Sequence, residues 1–174
     1  GARHIIVNVP AFTAALVEDG RVLARHRTVV GARRTPTPQL SARVTAVTIN
    51  PWWTVPQSII REMGGRFSGY EVSRQGNYMI VRQPPGPRNA LGRMKIEMPN
   101  EHAIFLHDTP ARNLFSRDVR AFSHGCIRTQ DALGFATTLL SQTDGWGRDA
   151  VDRAVAAGRA TTGALYGRVP VFIA

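Results

Sequence analysis

Short apolar runs, cut by glycine, proline and Asp-Gly, fill the first two-thirds of the chain and predict strands rather than helices. "HIIVNVP" and "FTAALVE" are rich in β-branched and apolar residues, and Asp19-Gly20 predicts a tight hairpin before "RVLARHRTVVG". After the breakers Pro36 and Pro38, "RVTAVTINP" alternates. It predicts Val44, Ala46, Thr48 and Asn50 on one face and Thr45, Val47 and Ile49 on the other. "PWWTVPQSIIREMGGRFSGYEVSRQGN" predicts a loop-rich segment with one short helix around Ser58–Met63. "NYMIVRQ" and "GRMKIEMP" predict two strands, and the intervening "PPGPRNAL" is too rich in proline and glycine to join a ladder. Helical spacing comes late. Ala132, Leu133, Ala136, Leu139 and Leu140 share a face, with Thr129 placed to cap them; Val151, Ala154 and Val155 repeat the pattern, and Gly158 is a natural stop. "VPVFIA" closes the chain as a strand. The pattern predicts one mainly β (α+β) domain over residues 1–174 with a few late helices.

Composition narrows this only a little. With 174 residues, 43% hydrophobic, the chain is long enough to build its own core, and its single cysteine excludes an internal disulfide. No apolar run approaches the ~20 residues needed to span a bilayer. Gly1-Ala2-Arg3 leads straight into a strand with no signal peptide, which predicts a trimmed boundary with localisation signals and neighbouring domains outside it. The net charge of +10 is almost all arginine, Lys95 being the sole lysine. Such a surface draws in anions, yet the arginines are scattered, and no zinc-finger spacing or RNP-like aromatic string accompanies them. Nucleic acid is not an expected partner.

The chemistry gathers around "FSHGCIR". Alternation over "EHAIFLHDTP" places Glu101, Ala103, Phe105 and His107 on one face and His102, Ile104 and Leu106 on the other, so His107 ends a strand where the chain turns. Cys126 lies three residues before the predicted cap of a helix; the helix end, His124 and Arg128 are expected to favour its thiolate and lower its pKa. Gly125 lets a carbonyl approach the sulfur, and the N–H groups of Gly125 and Cys126 are placed to hold an oxyanion. Two other readings exist. A lone cysteine is commonly an apolar filler, but a filler needs neither His-Gly before it nor arginine after it. Zinc ligation by His102, His107, His124 and Cys126 conflicts with the opposite faces of His102 and His107 and with the lack of HExxH or CxxC. No metal or other cofactor is expected.

"LHDTPARNLFSRDVRAFSHGCIR" closely resembles the signature of the YkuD family of L,D-transpeptidases: a histidine, a gap of sixteen residues, then Ser-His-Gly-Cys and a branched apolar residue. "IIVNVP", "NPWWTVP" and "RQPPGPRNALGRMKIEMPNEHAIFLHDTP" extend the likeness over residues 4–142, most of all to the YcbB-like long-chain members, and "VPVFIA" fits too. The resemblance implies a β-sandwich-like catalytic domain. Cys126 would be the nucleophile and His107 its base, the ring oriented by a backbone carbonyl such as that of Asp108. His124 would shape the oxyanion site and orient substrate, Ser123 and Gly125 would shape the loop, and Arg128 would brace it or meet a substrate carboxylate. The YcbB-like members carry a long lid; here about 57–78 leaves room only for a short lid-like segment.

The activity implied is cysteine acyl transfer between peptidoglycan stems, with release of D-Ala from a tetrapeptide donor and 3-3 cross-linking. The stems serve as donor and acceptor, carbapenem β-lactams as covalent inhibitors, and the location is periplasmic or cell-wall facing. Other acceptors would give L,D-carboxypeptidase action, 1-3 cross-links, D-amino acid exchange or lipoprotein anchoring. A rival of another class is a non-catalytic cell-wall-binding domain. Tyr70, Tyr78 and Trp52 are candidate substrate contacts, although Trp52-Trp53 read more simply as packing aromatics, and Arg112 and Arg120 read as solvent-facing.

Overall fold

The computed structural model describes residues 2–143 and 145–174, with side chains at all of these except 166–168. β1 (Arg3–Asn8) and β2 (Thr13–Glu18) pair antiparallel, and Asp19-Gly20 turns β2 into β3 (Arg21–Gly31). Both turn residues have positive φ, 50° and 78°, the backbone that matches the right-handed twist of a two-residue hairpin. The main sheet continues with β4 (Leu40–Ile49), β8 (Met94–Glu97), β9 (Leu106–His107), β10 (Ala121–Ser123), β11 (Ile127–Thr129) and β12 (Thr161–Ile173). Its nine strands run in the order β10-β3-β11-β9-β8-β4-β12-β1-β2. Because β3 pairs with β2 through its first half and with β11 and β10 through its second, the sheet rolls back on itself. Two helices follow the catalytic-type motif: α2 (Ala132–Leu140) and α3 (Arg148–Ala157), the latter stopped by Gly158 at φ 75°. Ile5, Leu16, Ile49, Met94, Ile96, Leu106 and Ile127 from the strands form one core with Phe135, Leu139 and Leu140 from α2. α2 is apolar on most of its circumference, as a helix enclosed by a rolled sheet must be. The architecture is mainly β, as the pattern predicts.

The stretch 57–78 belongs to a larger structural unit. A second, three-stranded sheet, β5 (Trp53–Thr54), β7 (Tyr78–Gln83) and β6 (Glu71–Gln75), carries α1 (Gln57–Met63), and Val55, Ile60 and Val81 form its own small core. β6 lies where the pattern predicts loop, because all five of its residues are exposed and no apolar alternation marks it.

Two further expectations are corrected. Val44 is buried with Val47 and Ile49 rather than opposite them, since the β4–β12 register shifts between the Val44–Val169 and Ala46–Ala164 pairs. Thr129 is no helix cap: it ends β11, and Asp131, in the left-handed region at φ 49°, precedes α2.

Arg120 is not solvent-facing but 5% exposed. Its guanidinium donates to the carbonyls of Thr28 (2.9 Å), Arg117 (2.7 Å) and Phe12 (2.9 Å), tying the approach to the cysteine loop onto β3. Charge-assisted bonds of this kind contribute about 1.5–3 kcal/mol each, so Arg120→Met should cost about 3 kcal/mol or more after relaxation. Urea denaturation checks this; an unchanged midpoint would mean that the three bonds contribute nothing net.

Candidate active site

Three short strands place the functional side chains. β9 and β11 run parallel with Leu106 opposite Ile127 and His107 opposite Arg128; β8 runs antiparallel to β9 with Ile96 opposite Leu106 and Lys95 opposite His107. Ile96, Leu106 and Ile127 are fully buried on the inner side. Strand alternation therefore puts Lys95, His107 and Arg128 in one row on the outer face. Phe105 immediately precedes β9 and Cys126 immediately precedes β11, and the Ile127 N–H donates to the Phe105 carbonyl at 3.0 Å. The rings of Phe105 and His107 are 5.5 Å apart, and the Lys95 ammonium sits 4.5 Å from the centre of the Phe105 ring. The structure thus brings Cys126, His107 and Arg128 onto one face.

His107 is buried, and its Nδ1 hydrogen-bonds to the backbone oxygen of Asp108. A carbonyl only accepts, so Nδ1 carries the proton and Nε2 presents a free lone pair. Burial, helped by the nearby Arg128 and Lys95 charges, lowers the pKa of His107 to about 4 despite the hydrogen bond to Asp108, which opposes the shift. The ring is a neutral base at neutral pH.

Cys126 is half-buried, and burial raises its thiol pKa against the opposing pull of its backbone contact at Phe105 and the charges of Lys95 and Arg128. The expected helix-end lowering is absent because β11 separates the sulfur from α2, which begins only at Ala132. Among the described residues the hydrogen-bond partner of Sγ is the Ala103 carbonyl at 3.8 Å, not the His107 ring. Ala103 also lines a small hollow of about 200 Å³ with Lys95, Glu97 and Phe105. A larger cavity of about 560 Å³ lies past the end of β9, along Asp108, Arg93 and Pro85–Pro87.

The motif loop is braced from two directions. The Ser123 hydroxyl donates to the Cys126 carbonyl and accepts the Gly125 N–H at 3.1 Å. The Gly125 N–H is therefore taken, and of the two expected oxyanion donors only the Cys126 N–H lacks a partner among the described residues. From the 31–37 loop, Thr35 donates to the Ser123 carbonyl (2.9 Å) and Thr37 to the Gly125 carbonyl (2.7 Å). Sequence reasoning missed both threonines; their one local signal is the Thr-Pro-Thr-Pro run, which reads only as a strand breaker. Gly125 has φ 121°, and a Cβ there would meet Ile104 Cδ1 at 3.1 Å. Gly125→Ala should thus lower stability by about 1–3 kcal/mol through backbone strain and reduce the alkylation rate of Cys126 by moving the loop. Thermal melts and iodoacetamide kinetics on the same variant check both effects.

The other candidates are placed as follows. His124 is exposed, with Nε2 3.3 Å from Glu62 Oε2 of α1, so it faces the three-stranded module. The Asp108 side chain turns away from the sulfur: Oδ2 accepts the Arg93 N–H at 2.9 Å and lies 3.8 Å from Arg112. Tyr70 packs into the module's own core, Tyr78 is 70% exposed, and Trp52 lies under Arg82, 4.5 Å from its ring centre. His102 is exposed on a turn.

A thiol, a tautomer-fixed neutral imidazole and two cations gathered on one sheet face suit nucleophilic acyl transfer. Known proteins agree. The model of the YkuD L,D-transpeptidase catalytic domain matches residues 2–171. A Haemophilus influenzae protein provisionally named an L,D-transpeptidase is 30% identical over 196 residues, covering 97% of this chain and 40% of its own length. The chain thus spans about two-fifths of that curated relative. Among solved structures, the catalytic domain of an Enterococcus faecium L,D-transpeptidase acylated by ertapenem superposes with TM-score 0.53 at 14% identity, over 99% of this chain and 97% of that one. An L,D-transpeptidase from Mycobacterium smegmatis gives 0.52 at 15%, over 99% and 58%. These two likenesses concern the fold; the family rests on the near-complete model match, and by it the chain belongs to the YkuD family of L,D-transpeptidase catalytic domains.

Proposed function

We propose that this domain cross-links peptidoglycan stems through a thioester on Cys126. The thiol turns from the Ala103 carbonyl toward the face of His107 and gives its proton to Nε2 as the sulfur attacks the donor carbonyl. That carbonyl belongs to the L-centre of meso-diaminopimelate, next to the terminal D-Ala. The tetrahedral oxyanion is met by the free Cys126 N–H. Collapse breaks the amide, and the departing D-Ala amine takes the proton back from His107. An acceptor amine then attacks the thioester, with His107 again as base, and a 3-3 cross-link forms. Water in place of the amine gives L,D-carboxypeptidase action with the same residues, and other nucleophiles give 1-3 links, D-amino acid exchange or lipoprotein anchoring. On this reading the enzyme would work at the periplasmic or wall-facing side of the cell.

The observation that carries this reading is the His107 imidazole, its Nδ1 held by the Asp108 carbonyl, on the strand next to the one that Cys126 leads into. A purely wall-binding domain has no use for that tautomer control. Mass analysis of products from defined disaccharide-tetrapeptides tests it. Dimers linked between two diaminopimelate residues, with D-Ala released, are expected; intact substrate after prolonged incubation with folded, thiol-reactive protein would overturn it. The ertapenem-acylated Enterococcus faecium domain supports a related expectation, a carbapenem mass adduct on Cys126.

A further inference from the structure

The outer sheet face holds two cations that catalysis by cysteine and histidine does not require. Lys95 and Arg128 are the register partners of His107 on its two neighbouring strands. Their Cα atoms are separated by two strand spacings, roughly 10 Å, a distance that one lysine and one arginine arm together can close over the imidazole. Arg128 is half-buried, and among the described residues its guanidinium has no hydrogen bond or ion pair. A guanidinium carries five donors, and an unmatched one beside a nucleophile is placed for an acceptor brought by a ligand. Lys95 is the chain's sole lysine. Glu97 holds it at 3.3 Å, while the other Glu97 oxygen is taken by the Thr48 hydroxyl at 3.1 Å. That bracket keeps the ammonium over Phe105 rather than in solvent and uses one of its three donors.

We propose that Lys95 joins Arg128, for which the resemblance already implies contact with a substrate carboxylate, in a subsite flanking His107 that reads the free terminal carboxylate of the acyl donor beside the bond that Cys126 breaks. The identity of that carboxylate rests on the function proposed above; the anion subsite itself does not. The terminal carboxylate lies one residue from the attacked carbonyl. Arg128 is two residues beyond Cys126 in the chain, so their Cα atoms are at most about 7 Å apart and one short ligand can engage both. Arg128 supplies the planar fork and Lys95 a second point charge. Donors whose last residue is amidated or esterified would lose this contact, making the subsite a selector for stems with a free end.

Two alkylating reagents that differ in charge test the subsite on the unmodified chain. Iodoacetate and iodoacetamide each form an S–C bond to Cys126 and expel iodide, the thiol proton leaving to His107 or water. The readout is the ratio of their rates, normalised to a small neutral thiol at low ionic strength. The native ratio should favour the anion, and Lys95→Met and Arg128→Gln should each lower it about three- to tenfold. Lys95→Arg should restore it, and Glu97→Gln should raise it. The neutral reagent monitors folding and thiol reactivity in every variant. A ratio unmoved by Lys95→Met and by Arg128→Gln, with iodoacetamide reacting normally, overturns the proposal. A shifted ratio without turnover of tetrapeptide stems would uphold the subsite and remove the peptidoglycan reading; turnover with an unmoved ratio would do the reverse.

Discussion

Cys126→Ala is expected to reduce turnover of a disaccharide-tetrapeptide donor by about 10⁴-fold or more, since loss of a nucleophile leaves only binding and the oxyanion contact. The fold should survive almost unchanged. The sulfur's hydrogen bond to the Ala103 carbonyl, at 3.8 Å, is weak, and the loop is held instead by Ser123, Thr35 and Thr37. A stability change below about 1 kcal/mol is anticipated. Kinetics and a urea melt on the same preparation separate the two effects. A variant that unfolds would assign the residue to packing, and one that still turns over would remove it from the chemistry.

His107→Asn carries the second large effect. The asparagine amide can keep the bond to the Asp108 carbonyl while removing the base, so the loop should stay in place and kcat/KM should fall about 10²–10⁴-fold. The pH profile is more specific. With its pKa lowered to about 4, His107 stays neutral well below the pH at which an ordinary histidine becomes charged. The acid limb of kcat/KM should therefore lie near 4, with no loss between pH 7 and 5; a limb near 6.5 would show that burial does not govern the ring. Stability should follow the same group. The unfolded chain binds this proton more readily, so stability is complete above about 6.5 and is lost as pH falls toward 4, by roughly 3 kcal/mol in all. His107→Asn should flatten that part of the stability–pH curve.

The residues that sequence reading found share a property: their chemistry is local. Ser-His-Gly-Cys, a histidine at a strand end and an Asp-Gly hairpin each carry their signal within a few positions, and Gly158 stops α3 as its position predicts. What escaped depends on distant partners. Thr35 and Thr37 serve the motif loop across 88 positions of chain. Arg120 looks like any surface arginine until the carbonyls of Phe12 and Thr28, far away in sequence, close around it. β6 pairs on one side only with β7 and leaves both faces wet, so it never acquires the alternation by which strands are recognised. The thiol pKa went the wrong way for a related reason. Helical periodicity after Cys126 was legible, but the three-residue strand β11 between them was not, and the helix end therefore acts on nothing near the sulfur.

The neutral pair has a mechanistic consequence. A raised thiol and a lowered imidazole disfavour a standing thiolate–imidazolium pair, so in the proposed reaction proton transfer would accompany attack.

Intact-mass analysis of the protein mixed with donor in the absence of acceptor, quenched in acid and mapped by proteolysis, probes the sulfur directly. A covalent adduct on Cys126 with the mass of the donor stem less its terminal D-Ala is predicted. Release of D-Ala at full rate with Cys126 unmodified at every time point, and equally by the Cys126→Ala variant, would contradict it.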